Sequence, residues 1–193
     1  MARHKEFDRR QALSSAVKVF WEKGFDATNL SDLTKAMGIS RSSLYETFKD
    51  KESLFEESID YYFQNVARHR LEALIGSDSV KEGFKKLFNV VLETSLSPEN
   101  PGGCFIINTS LFMTTLDQRI AKRIQESVNS GHLKFVEVLK KGQISGEISK
   151  DKDIALIARV FVSTLIAITV MSRINRDRGP LEEMIKGALN ILD

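Results

Sequence analysis

The sequence predicts an all-α protein in which an N-terminal three-helix helix-turn-helix domain precedes a C-terminal helical bundle, with about nine helices in all. Two observations support this class. Apolar residues recur at intervals of three and four along most of the chain, which is the period of a helix with one buried face. The 193 residues include only 3 prolines and 11 glycines, and most of the glycines lie at the edges of periodic segments.

The first domain is predicted to span residues 1–50. Its first helix ends at Gly24 and places five apolar residues on one face, namely Leu13, Ala16, Val17, Phe20 and Trp21. Thr28 or Asn29 caps a short second helix, which Gly38 closes. Ser40 caps a third helix over 41–48. Two helices of about eight residues joined by such a glycine turn form a helix-turn-helix.

The remaining residues, 51–193, are predicted to form a second helical domain. A long fourth helix over 51–75, capped by Asp50, bridges the two domains. Ser79 and Glu82 form a capping box for a fifth helix. The later helices are predicted over 104–114, from Thr115 and Gln118 to Gly142, over 154–171, and from Pro180 through 181–192.

Residues 154–171, IALIARVFVSTLIAITVM, are almost continuously apolar and roughly long enough to cross a bilayer. Arg159 interrupts the segment, three hydroxyl residues dilute it and no aromatic belt flanks it. A helix that is apolar nearly all round also arises when one face packs on its own core and another on a partner subunit. We therefore favour the interpretation that residues 154–171 form a buried helix at a subunit interface over a membrane span.

Composition narrows the functional classes. With 42% hydrophobic and 28% charged residues, the chain is expected to fold around a core, and its net charge of +2 does not by itself predict nucleic-acid binding. One cysteine excludes an internal disulfide, and the three histidines are scattered. Catalytic and nucleotide-binding motifs are missing, so no enzyme, cofactor or metal is expected. The start, MARHKEFDRR, lacks an apolar stretch, so the cytoplasm is the default location.

The start of the third helix has the chemistry of a DNA-reading helix. Small polar residues there permit close approach to a groove, and a helix N-terminus offers unpaired backbone N–H groups to a phosphate. Ser40, Ser42 and Ser43 supply the small residues. Arg41 can bond bidentately to a guanine or to a phosphate.

Residues 29–55, NLSDLTKAMGISRSSLYETFKDKESLF, resemble the DNA-binding signature of the TetR/AcrR family of bacterial transcriptional regulators. The resemblance extends from Phe20 and Gly24-Phe25 through the Gly38-Ile39-Ser40 turn to Leu44-Tyr45, Phe48, Lys49 and Lys51-Glu52. The rest of the chain agrees in helix count, length and the stretch KGQISGEI, which closes the seventh helix in the family.

The resemblance implies a homodimer that binds a palindromic operator in double-stranded DNA. Tyr45 and Lys49 would clamp phosphates, Thr28 would touch the DNA backbone, and Leu44 and Phe48 would pin the third helix to the first. The complete DNA-contact set is Thr28, Ser40, Arg41, Ser42, Ser43, Tyr45, Thr47 and Lys49. Ser42, Ser43 and Thr47 differ from the Gly, Thr and His that are frequent in the family, and Glu46 is acidic, which affects base preference.

In this family the C-terminal domain holds a small-molecule effector pocket and a dimer face on the last two helices. The candidate ligand residues, which could equally be core, are Phe84, Phe88, Cys104, Phe105, Asn108, Phe112, His132 and Phe135. The candidate interface residues are Ile157, Phe161, Leu165, Ile168, Leu181, Met184, Ile185 and Leu189.

Cys104 has two interpretations. The stretch PGGCFIIN resembles a family subgroup with a Gly-Cys pair opening the sixth helix, some members of which sense electrophiles through that cysteine. A thiol at a helix N-terminus can be reactive, whereas a buried cysteine is a small hydrophobic residue. A metal sensor that pairs Cys104 with His69 or His132 rests on no ligand spacing.

The sequence therefore predicts a ligand-responsive transcription factor, most simply a repressor released from its operator by a small molecule or an electrophile. An all-helical ligand-binding or scaffold protein that makes no DNA contact is the alternative. A thiol-reactive enzyme is a more distant one.

Overall fold

The computed structural model describes residues 7–111 and 118–193, and this part of the chain is helical without strands. The first four helices are α1 (Arg9–Lys23), α2 (Leu30–Met37), α3 (Arg41–Phe48) and α4 (Lys51–Tyr62), and a π-helical segment, Phe63–Ala67, follows α4. The others are α5 (Arg68–Ile75), α6 (Val80–Leu96), α7 (Phe105–Ser110), α8 (Gln118–Ser145), α9 (Ile154–Ile174) and α10 (Arg178–Leu189), and a 3₁₀ turn, Asn190–Leu192, follows α10.

Local cap residues begin and end the helices largely where they are predicted. The side chains of Asn29, Ser40 and Asp50 accept the backbone N–H of the residue three positions later, at the starts of α2, α3 and α4. Gly24 and Gly38 end α1 and α2 with positive φ. These caps explain why a sequence pattern suffices to define the N-terminal helices.

Several boundaries differ from the prediction, among them the end of α9, which continues past Met171 to Ile174. Helix α10 begins at Arg178, where the Asp177 carboxylate accepts the Gly179 N–H, so Pro180 lies inside the first turn. Helix α8 continues past Gly142 to Ser145. Residues 51–75 are helical as predicted, with the π-helical segment inside them; if this stretch is counted as one helix, the described residues form nine α-helices.

The described chain divides into two compact units, one ending at Ala67 and the other beginning at Arg68. In the first unit α4 packs against α1. The rings of Phe20 and Phe55 lie 4.9 Å apart, and those of Trp21 and Tyr62 5.5 Å apart. The predicted domain boundary after residue 50 and the bridging role of residues 51–75 stay predictions.

The second unit has its own core, to which α6, α8, α9 and α10 contribute. Edge-to-face phenylalanines form its centre: Phe84 lies 5.1 Å from Phe135 and 4.5 Å from Phe161, ring centre to ring centre. Helix α9 is long and apolar enough to cross a membrane by composition alone. One of its faces is nevertheless buried in this core, through Ile157, Phe161 and Ile168.

Candidate nucleic-acid interface

Buried side chains hold α3 in place from behind. Leu44 and Phe48, one helical turn apart, are both almost completely buried, and α3 packs against α2 and α4. The guanidinium of Arg9, at the start of α1, lies 5.1 Å from the centre of the Phe48 ring. The opposite face of α3 is therefore free to meet a ligand.

Arg41 and Tyr45 form the exposed edge of α3. They are one turn apart, and Nη2 of Arg41 lies 3.5 Å from the Tyr45 hydroxyl, with its guanidinium carbon 5.7 Å from the ring centre. Tyr45 is 42% exposed, although its size and apolar ring would favour burial. The pair presents a cation and a hydroxyl side by side on a rigid helix.

Three serines surround the N-terminus of α3. Ser40 accepts the Ser43 N–H at 3.1 Å, and its Oγ lies 2.8 Å from Oγ of Ser42 and 2.9 Å from Oγ of Ser43. The three hydroxyls thus hold one another in a small cluster. The first backbone N–H groups of a helix have no intrahelical acceptor, so this end of α3 can receive an anion.

Lys49 ends α3 in a strained conformation. Its φ of 70° and ψ of −62° lie outside the regions that residues with a Cβ favour, and its N–H donates to the Tyr45 carbonyl at 2.9 Å. Its side chain is exposed, whereas that of Thr47 is half-buried. Backbone strain of this kind is common where a side chain must be presented to a ligand.

Thr28 differs from the rest of the predicted DNA-contact set. Its side chain is 1% exposed, and its hydroxyl donates to the Gly24 carbonyl at 2.6 Å. A contact through this hydroxyl is not supported, because the group already bonds inside the unit. The other seven predicted residues lie on α3 or at its two ends.

Lys51 has a structural role that no sequence pattern assigned to it. Its Nζ donates to the carbonyls of Phe25 at 3.1 Å and Thr28 at 3.0 Å, and lies 4.2 Å from the centre of the Phe25 ring. It thereby fixes the loop between α1 and α2. The sequence offered one signal for this role: a lysine at the first position of α4 is unfavourable for the helix dipole, which favours a contact with carbonyl oxygens elsewhere.

The predicted aromatic effector residues are buried. Phe84, Phe88, Phe105 and Phe135 are at most 5% exposed, and three of them pack in the ring cluster with Phe161. Their role as pocket walls stays a prediction. Phe112 lies outside the described residues. A groove of about 340 Å³ between α6 and α10 is lined by other residues.

The polar and thiol candidates have different surroundings. Cys104 immediately precedes α7 and is 8% exposed. Asn108 is buried and donates from Nδ2 to the Gly102 carbonyl at 3.3 Å. His132 is half-buried, and its Nε2 has no hydrogen-bond partner among the described residues.

The predicted interface residues also need correction. Six of them are buried inside their own chain, where they fill the core and cannot reach a partner: Ile157, Phe161, Ile168, Leu181, Ile185 and Leu189. Leu165 and Met184 are half-buried against the same core. The outward side of α9 instead carries exposed Leu156, Met171 and Ile174.

The chain matches two family models. Residues 12–58 match bacterial regulatory proteins of the tetR family, and residues 82–188 match the tetracyclin repressor-like C-terminal domain.

Two curated relatives cover most of the chain. The HTH-type transcriptional repressor ComR of Escherichia coli (strain K12) is 30% identical over 95% of this chain and 87% of its own. The uncharacterized HTH-type regulator YezE of Bacillus subtilis (strain 168) is 29% identical over the full length of both.

Solved structures resemble the chain throughout. A cysteine variant of the TetR family transcriptional regulator CifR, solved with 26-bp double-stranded operator DNA, has a TM-score of 0.88 and 29% identity, over 97% of this chain and 98% of its own. The reduced form of NemR from E. coli has a TM-score of 0.86, over 95% and 98% of the two chains, and at 17% identity it shows the fold alone.

Proposed function

Because the chain belongs to the TetR family of bacterial regulatory proteins, we propose that it is a cytoplasmic transcriptional repressor whose α3 reads the major groove of a palindromic operator. ComR is named a repressor, and a CifR variant was solved on operator DNA. The alternative of a helical scaffold without DNA contact lacks such support.

The observation that carries the proposal is the exposed Arg41–Tyr45 edge, beside the serine cluster that begins α3. The pair supplies a cation and a phenol hydroxyl side by side, which are groups that protein–DNA contacts use. Leu44 and Phe48, buried behind this edge, keep it rigid, so little side-chain or backbone order has to be gained on binding.

The proposed contacts divide into two kinds. Arg41 reads a base edge, most simply the O6 and N7 acceptors of a guanine. Tyr45, Lys49 and the backbone N–H groups at the start of α3 hold phosphates, which sets the position of the helix without specifying sequence. Ser42 and Ser43 allow the helix to approach closely, because their side chains are short.

We propose that two copies assemble through the outward side of α9. The residues on this side, termed the α9 stripe, recur at helical spacing and are exposed or half-buried: Leu156, Val160, Ser163, Ala167, Met171 and Ile174. A two-fold interface built on the stripe gives each dimer two copies of α3. Half-sites about 34 Å apart, one turn of DNA, would then form a near-palindrome.

A small-molecule effector bound in the second unit completes the proposal. Such a ligand releases DNA only if it binds the non-binding conformation more tightly. The burial of Cys104 favours a ligand that binds without a covalent bond over an electrophile.

Selection of bound sequences from a random DNA pool, with the full-length protein, tests the function. We expect a near-palindrome whose affinity falls steeply with salt. Arg41→Ala should relax the preference at one position in each half-site. Failure of wild type to enrich any sequence, with binding absent even at low salt, would favour the scaffold alternative.

A further inference from the structure

Two half-buried side chains in the second unit, those of Arg70 and His132, contain buried nitrogen atoms without a hydrogen-bond partner among the described residues. Nε and Nη2 of Arg70, on α5, and Nε2 of His132, on α8, are inaccessible to solvent and form no hydrogen bond within the described part of the chain. Buried polar atoms are normally paired, and an arginine carries its positive charge at neutral pH. These atoms therefore point to a missing acceptor.

Helix α5 brings Arg70 to the middle of α6. The two helices pack as a hairpin joined by four residues, 76–79, so they run in opposite directions. Leu74 lies directly on Gly83: a Cβ at Gly83 would be 2.6 Å from the Leu74 carbonyl oxygen. Because the helices are antiparallel, the residue one turn before Leu74 on α5 lies opposite the residue one turn after Gly83 on α6. This register places Arg70 at the level of Leu87.

Helix α8 brings His132 to the same level. A Cβ at Gly142 would lie 3.1 Å from the Val80 side chain, and the rings of Phe135 and Phe84 are 5.1 Å apart, so α8 is also antiparallel to α6. One turn before Phe135 is His132, opposite the turn of α6 that follows Phe84. By this register both residues lie at the level of the α6 turn that holds Leu87 and Phe88.

The surroundings at this level are apolar. Leu87 and Phe88 are at most 3% exposed, Leu74, one turn away, is equally buried, and Leu71 and Val136 pack against the same core. A guanidinium with two buried nitrogens is unfavourable there without a counter-charge, and the described residues provide no hydrogen-bond acceptor for Nε or Nη2 of Arg70. A ligand can provide one.

We propose that Arg70 and His132 form the polar end of the effector site and that the effector is a small apolar molecule carrying one carboxylate. The guanidinium donates from Nε and Nη2 to the two carboxylate oxygens, and His132 donates its Nε2 hydrogen to one of them. This inference rests on the proposed function, for which it names the class of effector.

A carboxylate fits better than a phosphate. One guanidinium balances one negative charge, and the fork formed by Nε and Nη2 matches the two oxygens of a carboxylate. A phosphate monoester carries close to two negative charges at neutral pH, which would leave charge uncompensated among Leu87, Phe88 and their neighbours.

The test compares acids with their neutral amides on the full-length protein. Benzoate and hexanoate at millimolar concentration should raise the melting temperature by about 3 °C, whereas benzamide and hexanamide should not. Arg70→Met should abolish the response and, without ligand, melt no lower than wild type, because it removes two buried nitrogens that have no acceptor among the described residues. Arg68→Met is the matched control: Arg68 is exposed and paired with Glu72, so its response to acids should be unchanged.

Several results would overturn the inference. These are equal stabilisation by acids and amides, stabilisation by phenyl phosphate in place of the acids, a full response in Arg70→Met, and no response of wild type to either acid. The wild-type comparison stands even if Arg70→Met fails to fold. If wild type binds its operator but does not respond to either acid, this inference is refuted and the proposed function stands. If the protein shows an Arg70-dependent response to acids but binds no operator, the acid site stands and the proposed function is refuted.

Discussion

The Glu147 carboxylate caps helix α6 from a distant part of the chain: its Oε2 accepts the backbone N–H of Val80 at 2.7 Å. Its Oε1 accepts the Lys81 N–H at 2.9 Å and the Ser79 hydroxyl at 2.6 Å. An anion at a helix N-terminus satisfies unpaired N–H groups and interacts favourably with the helix dipole. Glu147 thus ties the loop after α8 to the start of α6.

Replacement of Glu147 by Gln should destabilise the protein by about 1 kcal/mol at neutral pH, because it weakens this cap. The measurement is the free energy of unfolding by urea. Glu82→Gln removes a charge from the same helix end without touching the three hydrogen bonds, so it should cost less. Equal losses of unfolding free energy in the two variants would mean that the negative charge alone, and not the geometry of the cap, stabilises the start of α6.

The same carboxylate makes the stability dependent on pH. Burial alone would raise the pKa of Glu147, but hydrogen bonds from the Lys81 N–H, the Ser79 hydroxyl and the Val80 N–H outweigh burial and lower it below its ordinary value of 4.5. A carboxyl whose pKa is lowered by folding stabilises the protein above its unfolded pKa and loses this effect as pH falls through the folded pKa. The difference between wild type and Glu147→Gln should therefore shrink below about pH 4.5.

This cap also shows where sequence reasoning stops. Asn29, Ser40 and Asp50 each bond to an N–H three residues later, so their role is visible in a short pattern. Glu147 lies more than sixty residues from the helix it caps, and only the fold brings the two together. The pattern at the start of α6 correctly named Ser79 as its cap but could not find this second partner.

The residues of the α9 stripe could not be predicted from the sequence, for a different reason. A helix that is apolar nearly all round has no polar face to indicate which side turns inward. The choice depends on how α9 packs against α6, α8 and α10, and in the structure Phe161 and Ile168 face the core while Met171 and Ile174 face out. The sequence therefore predicts that α9 forms, but it does not predict which side of α9 faces the core.

Loss of Arg41 should weaken operator binding without unfolding the chain, because its side chain is exposed and lies beside the exposed Tyr45 ring. Arg41→Ala should cost roughly 1 to 3 kcal/mol on the preferred sequence and relax specificity at one position. Tyr45→Phe should weaken all sequences alike, since it removes the hydroxyl that is proposed to hold a phosphate. Fluorescence anisotropy with selected and scrambled DNA measures both, with Lys150→Ala as a control for the loss of one exposed charge. If neither variant differs from wild type, α3 does not read DNA in the proposed register.

Lys49 should combine a DNA contact with a cost in stability. At φ 70° a glycine is unstrained, so Lys49→Gly should stabilise the fold by about 1 kcal/mol relative to Lys49→Ala. Both variants lose the ammonium group and should weaken operator binding equally, reducing the salt slope by about one. Thermal melting and salt titration separate the two effects. Unequal losses of affinity would indicate that the backbone at this position, and not the charge, contributes to binding.

The α9 stripe should control assembly. Met171→Glu and Ile174→Glu place a charge on exposed positions, 41% and 74% accessible in the single chain, and should give folded monomers that bind operator poorly. Ile168→Glu should instead unfold the chain, because that side chain is completely buried. Light scattering and circular dichroism distinguish these outcomes, with Lys150→Glu as a surface control. Dimers that survive both stripe variants would exclude this face as the interface.

Cys104 should react slowly in the folded protein. With 8% of its surface exposed, the thiol needs a local opening before a reagent can reach it, so reaction with an aromatic disulfide should be at least about tenfold slower than in denaturant. Operator affinity measured after mild electrophile treatment should then be the same for wild type and Cys104→Ser. A native rate close to the denatured one, together with operator release in wild type but not in Cys104→Ser, would reverse this conclusion. It would show that the packing around α7 opens readily and that modification of the thiol, which could not be accommodated in a closed core, favours the conformation that does not bind DNA.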